Sequence, residues 1–233
     1  MKQGFTLLEL SIVLVIIGGI TVGQEMIRAS ELNSVISDVN KYKLAVNTFK
    51  LKYNALPGDM DNAHDYWDNG ADGICGTAGE CNGDGDGLIE NAGGLTSNEV
   101  GRVWQHLSLS EIIAGSYTGV ITFPPVLDVS HPKSSIIGAG YSLEAQNNKN
   151  TLFFAAPVSS QGRPRAGALA ALAAEIIDRK TDDGIPHQGK TTTTDEVHLI
   201  GGGAGNNCLI SSDTVYNSTN SDIDCVMMFE IGL

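Results

Sequence analysis

Oxygen-bearing side chains at alternate positions are the first feature of this chain that could do chemistry: Asn82-Gly83-Asp84-Gly85-Asp86-Gly87-Leu88-Ile89-Glu90. A hard divalent cation such as calcium takes about six to eight oxygens from flexible ligands. Asn82, Asp84, Asp86 and the Leu88 carbonyl are spaced like the first half of a calcium loop. The match then fails, because the twelfth loop position is Gly93 where a bidentate Glu belongs. Glu90 at the ninth position, or Asp72 from the preceding Asp72-Gly73 turn, is needed to complete a shell. The competing reading is a solvated cluster of Asp-Gly turns.

Four cysteines form two sequence-local pairs, Cys75 with Cys81 and Cys208 with Cys225. In an oxidising compartment they are expected as disulfides in that pairing, the other two connectivities staying open. Zinc is the rival use of four thiols, but neither pair has the two- or four-residue gap usual for its ligands. A Cys75–Cys81 bridge would brace the Asp-Gly loop. His64, His106, His131, His187 and His198 lack metal or triad spacing and read as surface or packing residues. No serine sits in a nucleophile elbow, and Gly201-Gly202-Gly203-Ala204-Gly205 has no following Lys to make a phosphate loop. No catalytic constellation emerges, so an enzyme is not expected.

The elements that must carry these residues begin with an apolar run. Phe5 to Val22 is interrupted only by Thr6, Glu9, Ser11 and Thr21, and as a helix it spans about 27 Å, close to a bilayer core. Only Met1-Lys2-Gln3-Gly4 precedes it. An ordinary secretory signal cut after Gly23 is the bland reading. Against it stands Glu9, whose carboxylate costs a few kcal/mol inside a bilayer and gains a disposable signal nothing. A cation brought by another chain is its natural partner.

Lys2-Gln3-Gly4-Phe5-Thr6-Leu7-Leu8-Glu9-Leu10 resembles the prepilin cleavage and methylation motif of type IV pilins and type II secretion pseudopilins. The resemblance implies removal of a leader, residues 1–4, by a prepilin peptidase that cuts after Gly4 and methylates the new amino terminus at Phe5. It also implies that Glu9 attracts the terminal amine of a neighbouring subunit. A buried carboxylate is tolerable when paired, and head-to-tail pairing repeated along a stack generates an open filament. An inner-membrane assembly platform is the further implied partner. The implied location is a single-pass inner-membrane protein with its domain in the periplasm, passing into a filament there or on the cell surface. Several pseudopilins hold calcium in loops, which favours calcium as the one candidate cofactor.

Beyond the assembly helix, residues 5–23, the apolar pattern turns periodic at Leu32, Val35, Ile36, Val39, Tyr42, Val46, Phe49 and Tyr53. Residues 24–56 therefore read as the amphipathic half of one helix of roughly 70 Å. It holds no proline, and Gly18, Gly19 and Gly23 are expected to weaken its middle. Leu56-Pro57-Gly58-Asp59 closes it and opens a globular domain, residues 57–233. Thr96 and Glu99 have capping-box spacing before a second helix through Val100, Val103, Trp104 and Leu107. Strands are expected at Gly119 to Phe123, Ile136 to Tyr141, Thr151 to Ala156 and Cys225 to Ile231, with a third helix over Ala166 to Lys180. The order predicts an α+β fold with an antiparallel sheet against the long helix.

The chain of 233 residues carries a formal net charge of −13, which disfavours nucleic acid and leaves a local basic patch at Arg163 and Arg165 as its one opening. The leading expectation is a pilin or pseudopilin subunit. The alternatives are a minor pilin that binds or initiates, and a plain membrane-anchored periplasmic protein.

Overall fold

The computed structural model of the protein describes residues 7–67, 75, 81–91, 98–195, 207–210 and 214–232. Helix α1 (Leu7–Tyr53) runs 47 residues without a break. Gly18, Gly19 and Gly23 lie within it with nothing packed where a Cβ would stand, so the expected weakening does not interrupt the helix. Its two halves differ in what they meet. From Leu10 to Ile27 the large apolar side chains are exposed, whereas Leu32, Val35, Val39, Tyr42, Val46 and Phe49 are at most 5% exposed. The alternating steps of three and four put those six on one stripe. Burial worth about 1.5–3 kcal/mol for each large apolar side chain ties this half to the domain.

Asn54 ends α1 in a left-handed conformation (φ 54°), its N–H donating to the Lys50 carbonyl at 2.8 Å. A short helix α2 (Ala63–Trp67) follows, then α3 (Glu99–Leu109). Gly58 (φ 92°) crosses α3 so closely that a Cβ would stand 2.7 Å from the Glu99 carbonyl. The expected cap of α3 is displaced. Asn98 is the N-cap, its side chain accepting from the Val100 N–H, and Glu99 turns instead to the loop at residues 84–90; Thr96 lies outside the described residues. Val100, Val103, Trp104 and Leu107 are fully buried as expected.

Strands β1 (Gly140–Gln146) and β2 (Lys149–Ala155) form a hairpin. Its turn residues Asn147 and Asn148 both have positive φ, 51° and 60°, the geometry that follows strand twist and that Asn tolerates. Helix α4 (Ala171–Thr181) leads to β3 (Thr191–Asp195), a small hairpin of β4 (Leu209–Ile210) and β5 (Val215–Tyr216) follows, and β6 (Cys225–Glu230) inserts between β2 and β3. The sheet order is β1-β2-β6-β3, all antiparallel. Its inner face, Tyr141, Leu143, Leu152, Phe154, Met227 and Phe229, joins one core with α1 and α3. The rings of Tyr42 and Trp104 meet edge-on at 5.0 Å within it. Both sheet edges are occupied: the β1 edge by Pro132 and Ile89, and the β3 edge by Pro186 and the Asp182 carboxylate. Open edges invite strand addition from other chains, and this sheet has those donors engaged.

The fold is α+β with an antiparallel sheet and a long apolar N-terminal helix, and three local expectations shift. Gly119 to Phe123 is not a strand; Gly119 (φ 72°) lies on α3, where a Cβ at Gly101 would stand 2.5 Å from its carbonyl. The strand expected from Ile136 starts at Gly140, because the Ala139 N–H closes a turn onto Ile136. The third helix begins at Ala171, since Ala166 bridges to Ala156 and Leu169 to Cys225 in extended form. Tertiary pairing overrides alanine's helix preference there.

Candidate functional site

Two regions gather the predicted site residues. The first is the N-terminal half of α1. Leu7, Leu10, Ile12, Val13, Leu14, Val15, Ile16 and Ile17 are 45–86% exposed. The half is long and apolar enough to cross a membrane, with none of its most apolar stretch buried by the domain. Contiguous apolar surface on this scale is a mark of a membrane or protein partner. Glu9 sits in the first turn of this exposed half. Gly4 and Phe5 lie outside the described residues.

The second is the acidic loop. One oxygen each of Asp59, Asp84 and Asp86 lies within 4.8 Å of the others. Asp59 is buried, its Oδ1 accepting from Gly85 N–H at 2.9 Å and its Oδ2 from Gly87 N–H at 3.1 Å. Asp84 Oδ1 accepts from Asp86 N–H and Asp86 Oδ1 from Leu88 N–H, at 3.2 and 2.8 Å. Glu99 stands behind them, accepting from Asp84 N–H at 3.0 Å and Glu90 N–H at 2.8 Å. Burial raises the Asp59 carboxyl above its ordinary range, and the Asp86 and Asp84 charges add to it against the two backbone donors. Burial also lifts Glu99 to about 7.

The carboxylates that the fold gathers differ from the expected set. Asn82 Oδ1 is turned to α2, where it accepts from His64 N–H at 2.8 Å, and Glu90 is not among the three clustered carboxylates. Asp72 lies outside the described residues. Asp59 takes their place, brought in because Gly83 packs on it so tightly that a Cβ would stand 2.4 Å from its backbone. Calcium–oxygen distances of about 2.3–2.6 Å allow ligands on one ion to lie up to ~5 Å apart, and the three carboxylates fit that limit. A cleft of about 380 Å³ opens beside Asp59, with Lys50, Asp61 and Asn150 on its walls.

Both local cysteine pairs are disulfides, Cys75–Cys81 and Cys208–Cys225, and all four residues are buried. His106 and His131 are buried too. His106 Nδ1 accepts from Gly58 N–H and its Nε2 faces the Cys81 carbonyl, both at 2.9 Å, so the ring pins the α1 turn to the first disulfide. Burial pushes its pKa down to about 4. Ser130 Oγ contacts His131 Nδ1 at 3.0 Å, but both residues are sealed from solvent. Arg163 and Arg165, the one opening left for a local basic patch, do not present one. Both pair with Glu144, and the Arg165 guanidinium lies on the Phe153 ring, 3.2 Å from its centroid, with only 2% of the residue exposed. His198 and the glycine run at residues 201–205 lie outside the described residues. Comparison with family models, curated proteins and solved structures finds no match to this chain.

Proposed function

We propose that this chain is a pilin or pseudopilin subunit of a type IV pilus or type II secretion-like filament. Prepilin peptidase cuts after Gly4 and methylates Phe5, residues 5–23 hold the chain in the inner membrane, and an assembly platform then draws it into a filament with other pilins. One observation carries the reading: α1 is a single helix whose C-terminal half is built into the core while its N-terminal half leaves the domain exposed and predominantly apolar. A plain anchor has no need of rigid continuity with the core, whereas a subunit that stacks by its helix does. Glu9, one turn into that half, supplies the charge that sets register between neighbours.

The test is the N-terminal peptide mass of the protein co-expressed with a prepilin peptidase, alongside Glu9→Ala. A methylated Phe5 terminus, with Glu9→Ala processed but excluded from filaments, is the expected result. A chain that begins at Gln24 ends the filament reading. Calcium at Asp59, Asp84 and Asp86 belongs to the same proposal, as an ion that neutralises a buried acidic turn.

A further inference from the structure

A cleft of about 430 Å³ lies on the face of the sheet turned away from α1. Strand alternation fixes which side chains reach it. On β6, Met227 and Phe229 enter the core with α1, so Met228 and Glu230 face outward. On β3, the Thr193 hydroxyl meets Tyr216 Oη at 2.7 Å and Asp195 Oδ1 accepts from Cys208 N–H, both on the core side. Thr192 and Thr194 therefore face outward, Thr192 directly beside Met228. The Arg165 guanidinium on the Phe153 ring closes the neighbouring part of this face. The open part has Thr151, Thr192, Thr194 and Met228 as its floor. Gln146, Asn147 and Lys149 wall it on the side of the β1–β2 turn, His187 and Lys190 on the side of β3, with Glu230 on the strand between them.

Two features of this lining select a ligand. The first is hydroxyls that lack partners. Thr151 Oγ1 donates to the Lys149 carbonyl at 3.1 Å, but the Thr192 and Thr194 hydroxyls have no hydrogen bond among the described residues, and Thr194 is only 6% exposed. A buried hydroxyl calls for a partner, and the cleft is the open side of Thr194. The second is charge. Glu230 holds Lys149 at 2.8 Å, while Lys190 has no ion pair among the described residues. The nearby Asp182 carboxylate accepts instead from the backbone N–H groups of Lys190 and Thr191. Two lysines against one glutamate make the cleft positive on a chain of net charge −13. Small-ligand sites of roughly 300–1,000 Å³ are mostly apolar, whereas Met228 is the one large apolar side chain on this lining. A body rich in hydroxyls that carries a carboxylate matches both features.

We infer that this cleft binds an acidic saccharide, its carboxylate at Lys190 and His187 and its hydroxyls on Thr192, Thr194 and the Gln146 and Asn147 amides. Because α1 lies on the opposite face of the sheet, a filament built around α1 turns the cleft outward; that display rests on the filament reading, whereas the site rests on the domain alone. Calorimetric titration of the full chain in non-ionic detergent with a hyaluronan tetrasaccharide, in which glucuronate alternates with a neutral sugar, tests the site. Binding is expected. Lys190→Gln should weaken it roughly 10-fold or more, the range for a hydrogen bond to a charged group, and Thr194→Val roughly 2- to 10-fold, the range for a neutral one. Lys133→Gln, away from the cleft, should leave it unchanged. Neutral chitotetraose should bind at least roughly 10-fold more weakly, for want of the same charged bond; equal binding removes the acidic assignment. Full displacement by equimolar inorganic phosphate makes this a small-anion site and overturns the saccharide. No binding, or binding indifferent to both cleft variants, overturns the site itself. Binding by a chain whose amino terminus proves to be Gln24 keeps the site and ends only its display on a filament.

Discussion

Removal of each disulfide should cost stability that rises, slowly, with the length of the loop it closes. Cys208 and Cys225 are 17 residues apart, Cys75 and Cys81 only 6. Closing a loop removes unfolded-chain entropy that grows with the logarithm of its length, giving about 3 kcal/mol for the first bridge and about 2 kcal/mol for the second. All four cysteines are buried, so a pair of Cys→Ala changes at either bridge loses comparable packing, and the difference isolates the loop. The native positions are also held by other bonds: Cys208 N–H donates to Asp195 Oδ1 at 2.7 Å and Cys225 N–H to the Leu169 carbonyl at 2.9 Å. The Cys208→Ala/Cys225→Ala chain should therefore fold, and melt about 6–12 °C lower than the parent, against about 4–8 °C for Cys75→Ala/Cys81→Ala. Thermal melts of the full chain in detergent measure both. An equal or reversed order would refute loop entropy as the dominant effect.

Acid should weaken the fold through His106. Its folded pKa of about 4 lies below the ordinary 6.5, so the unfolded chain binds the extra proton. The stability of the neutral ring is complete above pH 6.5 and is lost as pH falls towards 4, a change on the order of 3 kcal/mol. His106→Gln should flatten the fall of the urea midpoint over that range, and an unaltered slope refutes the assignment. Glu144→Gln should cost about 3–5 kcal/mol in urea unfolding, because it leaves the buried Arg165 guanidinium and the partly buried Arg163 without their carboxylate. Loss of the exposed Lys149–Glu230 pair through Lys149→Ala should cost under about 1 kcal/mol; similar costs for the two would contradict the burial argument. Calcium some twenty-fold above its Kd should stabilise by about 2 kcal/mol and raise the melting temperature by several degrees. Asp59→Asn should abolish that response, and a melt indifferent to chelator removes the metal.

Local patterns were legible without coordinates wherever the physics acts between residues close in sequence. The extent of α1 follows from an unbroken apolar run passing into three-and-four spacing, and its buried stripe from Leu32 to Phe49 is the stripe that the periodicity names. The two disulfides join the sequence-local pairs. Strands β2 and β6 could be read because both lie near the centre of the sheet and are dense in apolar residues. Strand β3, Thr191-Thr192-Thr193-Thr194-Asp195, went unread, since it is strand only by virtue of β6 beside it.

What tertiary structure alone decided is which distant groups share a dielectric. Asp59 reads as a turn residue, yet the packing of Gly83 on its backbone joins it to Asp84 and Asp86. Arg163 and Arg165 read as a surface patch, yet Glu144 from β1 draws both inside. Periodicity records which face of an element is apolar; it carries no record of which charge from another element will arrive to neutralise a buried one, because that pairing exists only once the chain has closed on itself.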